Sequence, residues 1–408
     1  MKTELSFFTL LLLISFASVN AVLFTPALPN ITHFFCITYD MAQQTMTYFL
    51  IGYAVGQLFY GPIANRFGRK PALYLGISMQ VVSSLLCIIA GVIHFYGLLV
   101  AARLMMALGA GVGLKMTFTL INESYIPKVA AQKTSYLMLS FAITPGLGVA
   151  LGGVLNACFG WISCFYVSAI YGLFLLFQVV KLPETQKLKD INALKLKHLM
   201  NAYMVQFKNI RLVLGGLLMG TCTSFIYLFA ALGPFIAINL FGTTSEQYGL
   251  YSCIPSIGLV FGSLVSARFS KSCSISFSLG IGIVIAILGC VLMLITISME
   301  ANLLCSLFLP MTIINFGLCF IMANASVIAM DEATDKAHGA AVMSFINMGL
   351  ATVGVFSLSY VTIQITLLPL CYLILCAMML LLWMGLCSPV KLARVLLSKN
   401  VRGIRAKH

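Results

Sequence analysis

Two basic residues stand inside an apolar stretch of the chain, where an ionisable side chain is costly and indicates chemistry. Arg103 and Lys115 both fall in the segment 97–119. Arg103 lies about six residues from the start of this segment, roughly 9 Å deep at 1.5 Å per residue. A charge buried in hydrocarbon costs at least about 2.5–3.5 kcal/mol. We therefore expect Arg103 to face a polar cavity; a side chain stretched to the membrane surface is the alternative.

Lys115 lies near the other end of the same segment. The flexible stem of a lysine allows its ammonium group to reach the surface, and we expect this arrangement here. Twelve residues separate the two bases, which is a rotation of about 120° on an ideal helix. The spacing therefore predicts that they do not form one site.

Acidic residues are rare, and none of the ten lies near the middle of an apolar segment. A membrane protein that couples to protons usually needs a carboxylate or histidine for which a proton and a substrate compete. Glu123 and Asp40 are the candidates, although residues at such positions are more often solvated loop residues. His33 and His94 are further candidates.

Twelve apolar segments must position these residues. Of the 408 residues, 61% are hydrophobic and 8% charged, whereas soluble domains have about 45–50% apolar and about 25% charged residues. Each segment has about 20 residues, enough for a helix to cross roughly 30 Å of hydrocarbon. Unpaired backbone groups are too costly in lipid, so we predict an all-α membrane protein of twelve transmembrane helices. The segments are 5–28, 43–64, 71–93, 97–119, 133–156, 161–181, 210–232, 246–267, 275–298, 302–325, 339–362 and 365–387.

The basic residues lie on one side of the predicted membrane. When the segments are counted alternately, all of the 24 Lys and Arg residues except Arg103 and Lys115 fall on the side of the two termini. The positive-inside rule makes this side cytoplasmic. The net charge of +14 by itself suggests an anionic partner such as a nucleic acid. Its distribution instead assigns the charge to orientation in a membrane, and we expect no nucleic-acid partner.

The first 21 residues also have the pattern of a secretory signal peptide. Cleavage after Ala21 would leave eleven helices and disturb the charge alternation, so we expect the segment to remain. The 13 cysteines lie mostly in apolar segments without a CxxC pair, which favours packing over disulfides or metal ligands. No Walker loop, GxGxxG fingerprint or HExxH motif occurs, and we expect no cofactor, no metal and no enzymatic activity.

The chain divides near its middle. A lysine-rich stretch there predicts a cytoplasmic linker between two six-helix halves. GQLFYGPIANRFGRK at 56–70 aligns with GLVFGSLVSARFSKS at 258–272, each at the end of the second helix of its half. Duplicated halves around a central cavity are typical of transporters. The predicted divisions are a first half 1–181, a linker 182–209, a second half 210–388 and a basic tail 389–408.

Several stretches match motifs of one family. The clearest are GQLFYGPIANRFGRKP at 56–71, AARLMMALGAGVG at 101–113 and TPGLGVALGG at 144–153; FTPALP at 24–29 and LPET at 182–185 add to them. Together they resemble the major facilitator superfamily, and within it the Bcr/CflA branch of drug and metabolite exporters. The resemblance covers most of the chain and is sharper in the first half.

The resemblance implies a gate at the turn after helix 2, which in the family contacts the other half when the cytoplasmic side closes. The residues implied in gating are Gly56, Gly61, Asn65, Arg66, Gly68, Arg69, Lys70, Pro145, Gly152 and Gly153. The family has Asp where this chain has Asn65, and a second Pro where it has Val149. We expect a weaker latch, because a neutral amide makes weaker hydrogen bonds than a carboxylate. Helix packing by the glycines and a structural kink at Pro145 are the alternative.

The resemblance also implies that helices 1, 4, 7 and 10 line a substrate cavity. Polar, aromatic and thioether side chains on these helices and on helices 8 and 11 are the candidates. They are Arg103, Asn20, Met106, Thr221, Ser224, Tyr227, Tyr251, Asn315 and Asn347. Because buried amides need partners, hydrogen bonds to another helix explain each Asn equally well.

These features predict a secondary active transporter of the bacterial inner membrane that moves small amphiphilic molecules by alternating access, with efflux by proton antiport as the expectation. A lone cation and no midplane acid favour neutral or anionic substrates. A specific carrier for an anionic metabolite or siderophore, in either direction, is one alternative; a membrane sensor without transport is another. We expect a monomer whose partners are a small-molecule substrate, the lipid bilayer and H⁺.

Overall fold

All regular elements of the described chain are helices. The computed structural model describes residues 5–186, 190, 193–269, 272–331, 336–361 and 363–387. Eleven helices in these ranges are long and apolar enough to cross a membrane. The remaining prediction, 43–64, corresponds to Tyr39–Phe67, a helix of 29 residues that is more polar because it carries buried Gln43 and Gln57. The predicted all-α class is confirmed.

Six helices form each half. Those of the first half are α1 (Phe7–Phe35), α2 (Tyr39–Phe67), α3 (Arg69–Val92), α4 (Tyr96–Ser124), α5 (Pro127–Phe159) and α6 (Ser163–Val180). Those of the second half are α7 (Ile210–Leu240), α8 (Ser245–Phe269), α9 (Ile275–Ser298), α10 (Leu304–Met330), α11 (Lys336–Ser357) and α12 (Leu367–Cys387). A linker helix, Leu196–Phe207, lies between the halves in the chain. The predicted tail 389–408 lies outside the described residues.

Several helices are longer than the apolar segments that predict them. The segment 133–156 lies within α5, which has 33 residues. Hydropathy marks the part that suits hydrocarbon, whereas backbone hydrogen bonding continues until a residue stops it. Gly68 and Gly160, with φ of 118° and 78°, end α2 and α5 in conformations that residues with a Cβ rarely adopt.

Two membrane helices are interrupted near the middle of the bundle. In α1 the α-helix ends at Val22 and a 3₁₀ turn, Thr25–Ala27, connects it to Leu28–Phe35. Pro26 and Pro29 explain this break, because proline has no N–H to donate. In α4 the break falls at Gly111, between Tyr96–Ala110 and Val112–Ser124. The interruption of α1 leaves carbonyl groups available beside Arg103.

Each half packs mainly on itself, and two pairs of helices make the most extensive contacts between the halves. Within the first half α4 contacts α2 and α3, and α1 contacts α5; within the second, α10 contacts α8 and α9, and α7 contacts α11 and α12. Between the halves α2 packs on α11, and α5 packs on α8. The basic face is the end of the bundle that holds the α2–α3 turn at Gly68. The opposite face is the end that holds the α5–α6 turn at Gly160.

Candidate functional site at the interface of the halves

Arg103 lies in the interior of the first half, with 1% of its surface exposed. Its Nη1 donates to the carbonyl of Asn20 at 2.8 Å and to the sulfur of Met106 at 3.2 Å, and its Nη2 donates to the carbonyl of Ala21 at 3.5 Å. The guanidinium carbon lies 3.9 Å from the ring centre of Phe24 and 4.2 Å from that of Phe49. In the described residues no carboxylate lies within ion-pair distance of Arg103. Its charge is therefore stabilised by carbonyl dipoles and aromatic faces.

The break in α1 supplies these carbonyls. Asn20 and Ala21 lie in the last turn before Val22, where helical carbonyls lack full backbone partners. The C-terminal end of a helix also carries partial negative charge, which favours a cation. The FTPALP stretch of the sequence thus produces the acceptor that holds Arg103.

The side chain of Asn20 belongs to a hydrogen-bonded network inside the first half. Its Nδ2 donates to the carbonyl of Phe16 at 2.7 Å, and its Oδ1 accepts from Gln80 of α3 at 2.7 Å. Gln80 also donates to Ser84 at 2.9 Å and to the carbonyl of Ser168 at 3.2 Å. Asn20 therefore contacts Arg103 through its backbone while its amide joins α1 to α3. Gln80 is fully buried, and only its lone polar character within an apolar segment could have indicated its role.

In the second half, Tyr227 is the candidate nearest to Arg103. Tyr227 of α7 lies within electrostatic range of the Arg103 guanidinium and of Tyr53 on α2. Tyr53 stands one turn before Gln57 on α2. One tyrosine of the second half thus lies near this cation, and Tyr53 of the first half lies near that tyrosine. Tyr53 and Gln57 were not among the sequence candidates.

Other candidates of the second half donate hydrogen bonds to backbone carbonyls or, in the case of Tyr251, pack against an aromatic ring. Thr221 and Ser224 donate to the carbonyls of Leu218 and Gly220 on their own helix, both at 2.7 Å. Asn315 donates to the carbonyl of Pro255 at 3.0 Å. The ring of Tyr251 lies 5.7 Å from that of Phe308.

Two amide oxygens in the second half remain buried without a protein partner. They are Oδ1 of Asn315 and Oδ1 of Asn347. Because a buried polar group without a hydrogen bond is costly, these oxygens are positions at which a substrate or water would bind.

The α2–α3 turn on the basic face is held by residues of the same half. Arg69 pairs with Glu123 at 2.6 Å and donates to Oδ1 of Asn65 at 2.8 Å. Glu184 accepts from the backbone N–H groups of Arg69 and Lys70, both at 3.0 Å. A Cβ on Gly68 would lie 2.6 Å from Glu184 Oε2, so only glycine leaves space for this carboxylate.

Burial by itself would raise the pKa of Glu184. Hydrogen bonds from the N–H groups of Arg69, Gln186 and Lys70 and the charge of Arg69 outweigh burial, and the pKa of Glu184 lies below its ordinary value. The carboxylate also stands at the N-terminus of α3, where negative charge is favoured. The LPET stretch therefore attaches the start of the linker to the turn.

Further residues implied in gating have separate surroundings. Lys70 Nζ donates to the carbonyl of Val180 at 2.9 Å, and Arg66 lies 5.5 Å from the ring centre of Phe67.

A Cβ on Gly56 would lie 2.9 Å from the Leu108 carbonyl oxygen, so this glycine lets α2 approach α4. A Cβ on Gly61 would lie 2.6 Å from Lys115 Nζ, so this glycine leaves space for the ammonium group.

The antiporter-like motif lies at the α5–α8 contact. A Cβ on Gly249 of α8 would lie 3.0 Å from the Val149 carbonyl oxygen and 3.1 Å from Gly153 Cα. The two backbones approach so closely because neither helix carries a side chain there. Gly152 instead faces α1, where a Cβ would meet the carbonyl of Leu23. Pro145 lies inside α5, which continues on both sides of it.

Polar contacts connect the halves on the opposite face. Gln43 of α2 donates to the carbonyl of Ala231 on α7 at 2.9 Å. Asn156 of α5 donates to Ser245 of α8 at 2.9 Å and accepts from Asn30 at 3.3 Å. The halves are therefore joined on this face. Asp40, exposed in the first turn of α2, lies on the same face.

These observations define a class of protein: a multi-pass helical membrane protein of two halves that are joined at one face and enclose a buried cation. A family model, Major Facilitator Superfamily, matches residues 10–358, and the chain belongs to this superfamily. It is therefore a multi-pass inner-membrane transporter.

Similar proteins and structures agree with this family. The chain is 24% identical over 322 residues, or 77% of each chain, to a bicyclomycin resistance protein homolog of Haemophilus influenzae. It is 25% identical over 318 residues, 78% of this chain and 76% of the relative, to the chloramphenicol resistance protein CraA of Acinetobacter baumannii. The crystal structure of a D-xylose–proton symporter has the same fold, with a TM-score of 0.73, 13% identity and coverage of 94% and 96%. The predicted fold and family are confirmed.

Proposed function

We propose that this protein exports small neutral or anionic amphiphilic molecules by alternating access, with proton antiport. The observation that carries the proposal is Arg103, a buried cation that lies near Tyr227 of the other half and has no carboxylate partner in the described residues. A buried charge without a carboxylate partner is costly in a membrane and marks a substrate pathway. The Nε of Arg103 is buried without a hydrogen-bond partner among the described residues, and a substrate oxygen would supply its acceptor.

Alternating access is supported by the contacts between the halves. On the opposite face, Gln43, Asn156 and the Gly153–Gly249 approach join them. The hydrogen bonds among these contacts are few, and the rest is packing of helices, which a rigid-body movement of the halves can break and remake. The basic face would then be the cytoplasmic side from which substrate enters.

Two relatives support drug-like molecules as substrates. Their names refer to resistance to bicyclomycin and to chloramphenicol. Chloramphenicol is uncharged, and its hydroxyl and nitro oxygens would accept hydrogen bonds from Arg103. A cationic drug would be repelled by this guanidinium, so we expect it to be a poor substrate.

Glu123 and Asp40 remain the proposed proton carriers. Glu123 is paired with Arg69 and accepts a hydrogen bond from Thr185 at 2.5 Å. Protonation of Glu123 would break its ion pair with Arg69 and loosen the α2–α3 turn. Asp40 stands on the other side of the protein, so the two carboxylates would exchange protons with different compartments.

The test is uptake of radiolabelled chloramphenicol into proteoliposomes with and without an imposed pH gradient. We expect saturable, gradient-dependent movement that Arg103→Gln reduces about tenfold or more, because a charge-assisted hydrogen bond is lost. Lys133→Gln removes a charge near the basic face, where Lys133 lies against the ring of Tyr125, and should leave the rate unchanged. Absence of saturable movement in the unchanged protein would contradict the proposal.

A specific carrier for an anionic metabolite is the second candidate. It is favoured by two bases within α4, Arg103 and Lys115, whereas acids of the described helices stand in a first or last turn, as Asp40, Glu123 and Glu246 do. Saturable movement of one anion without any movement of chloramphenicol would support this candidate over the first. Lack of movement of any probe, with normal binding, would leave the sensor alternative.

A further inference from the structure

Lys115 is a second cation inside the first half that the proposed mechanism has not used. It lies in the second part of α4, and its Nζ donates to the carbonyl of Gln57 on α2 at 3.3 Å. In the described residues it has no carboxylate partner. Gly61 leaves the space that the ammonium group occupies.

The turn of α2 that Lys115 contacts has an unusual backbone. Pro62 cannot donate to Leu58, and its ring crowds the preceding turn. The hydroxyl of Tyr203 donates to the Leu58 carbonyl at 2.7 Å, while Lys115 donates to the adjacent carbonyl of Gln57. Side chains from α4 and from the linker helix thus complete the hydrogen bonding of this turn.

Lys115 and Arg103 both contact α2, although their spacing on an ideal helix turns them apart. The break of α4 at Gly111 separates the two residues into different helical pieces. Arg103 lies against Phe49 and Lys115 against Gln57, two turns further along α2. The two bases are separated by roughly 18 Å along α4, so they form two sites on one path.

Polar side chains of α2 lie between these two sites. Gln57, whose carbonyl accepts from Lys115, stands one turn after Tyr53. Tyr53 lies within electrostatic range of Tyr227, which in turn lies within range of Arg103. Tyr53 and Gln57 are each 3% exposed. Along α2, Tyr53 therefore lies between Phe49, which contacts Arg103, and Gln57, which contacts Lys115.

We propose that Lys115 is a second anion-binding site, at which the carboxylate, phosphate or sulfonate group of an amphiphile binds between the basic face and Arg103. This inference rests on the proposed transport function. An ammonium group has three donors, and one is used by Gln57, so two remain for ligand oxygens. Two weak sites in series let an anion enter and leave, as conduction through a membrane protein requires.

The test compares two probes of similar shape and different charge. Chloramphenicol is neutral, and chloramphenicol succinate carries one carboxylate. For each probe the concentration at half-maximal uptake is measured in proteoliposomes. We expect Lys115→Gln to raise this concentration for chloramphenicol succinate about tenfold, the effect of losing one charge-assisted hydrogen bond, and to change it less than about twofold for chloramphenicol.

Two further variants separate charge from structure. The amide of Lys115→Gln still donates hydrogen bonds, so a role limited to satisfying the Gln57 carbonyl would leave both probes unchanged. Lys115→Arg keeps the charge and should retain the preference for chloramphenicol succinate. Lys133→Gln, which removes a charge outside the path, should change neither probe.

The outcomes distinguish the two proposals. Equal effects of Lys115→Gln on both probes, or no effect on either, would overturn the second anion-binding site while transport stands. Failure of the unchanged protein to move either probe would overturn the proposed function, and the second site with it. Normal uptake of chloramphenicol by Lys115→Gln shows at once that this variant folds.

Discussion

The hydroxyl of Tyr203 donates to the carbonyl oxygen of Leu58 at 2.7 Å. Tyr203 lies on the linker helix, which also contacts α11 of the second half, and Leu58 lies on α2 of the first. Pro62 stands four residues after Leu58 and cannot supply the usual donor. The linker helix therefore donates the hydrogen bond that Pro62 cannot supply within α2 of the first half. It also packs against α11 of the second half.

Tyr203→Phe should destabilise the protein and loosen the linker helix. The Leu58 carbonyl would lose its donor, which costs about 1–3 kcal/mol for a buried group. The measurement is the melting temperature of the purified protein, together with the rate of tryptic cleavage in the linker. Tyr166→Phe, at a side chain that is 53% exposed on α6, is the matched control. Equal melting temperatures of Tyr203→Phe and the unchanged protein would contradict this role.

Glu184→Gln should remove a pH-dependent contribution to stability. The pKa of Glu184 is lowered in the folded protein, so its contribution is complete above the unfolded pKa of about 4.3 and is lost as the pH falls through the folded pKa. The difference in melting temperature between Glu184→Gln and the unchanged protein should therefore be constant near neutral pH and vanish at strongly acidic pH. A difference that grows on acidification would refute the assignment. Glu246→Gln, at an exposed residue of the opposite face, is the control.

Gly249→Ala should separate α5 from α8 on the opposite face. Its Cβ would lie 3.0–3.1 Å from backbone atoms of Val149, Ala150 and Gly153, and backbone cannot move aside as a flexible side chain can. The halves would open on this face, which labelling of a cysteine introduced at Ser245 would detect as faster modification. Gly349→Ala, with nothing within 4 Å of its Cβ, is the control. Unchanged labelling in Gly249→Ala would show that this approach does not close the face.

Asn65→Asp should strengthen the α2–α3 turn. Asn65 Oδ1 accepts from Arg69 at 2.8 Å, and a carboxylate in its place would make a hydrogen bond roughly twice as strong. We expect a higher melting temperature and slower labelling of cysteines introduced on the basic face. If Asn65→Asp left the balance between inward-open and outward-open states unchanged, the expectation of a weak latch at Asn65 would be wrong.

The motif residues show how far sequence patterns reach. The GxLxxGPxxxRxGRKP stretch predicts a charged turn after helix 2, and the turn lies there at Gly68. Its partners could not be predicted, since Glu123 and Glu184 are distant in the chain and are brought to Arg69 only by the packing of α4 and the linker against it. The helices of the structure are also longer than the apolar segments. An apolar segment ends where the hydrocarbon would end, whereas the backbone hydrogen bonds of the helix continue beyond it.

The candidate site shows the same division. Arg103 is identified by its charge within an apolar segment, and FTPALP marks the break that supplies its acceptors. The sequence does not indicate the roles of the two amides Gln57 and Gln80. A single polar residue in an apolar helix belongs to no repeating pattern, so its partner cannot be predicted. Asn20 was selected for its side chain, whereas its backbone carbonyl is what contacts Arg103.

The sequence by itself determined the all-helical class, the two-half organisation and the presence of a costly cation, because lipid excludes unpaired backbone groups and penalises charge wherever they occur in the chain. Only the tertiary structure decided which groups surround that cation. Arg103 meets the ring of Phe49 and Lys115 meets the carbonyl of Gln57, and these contacts follow from the packing of α4 on α2 rather than from residue spacing.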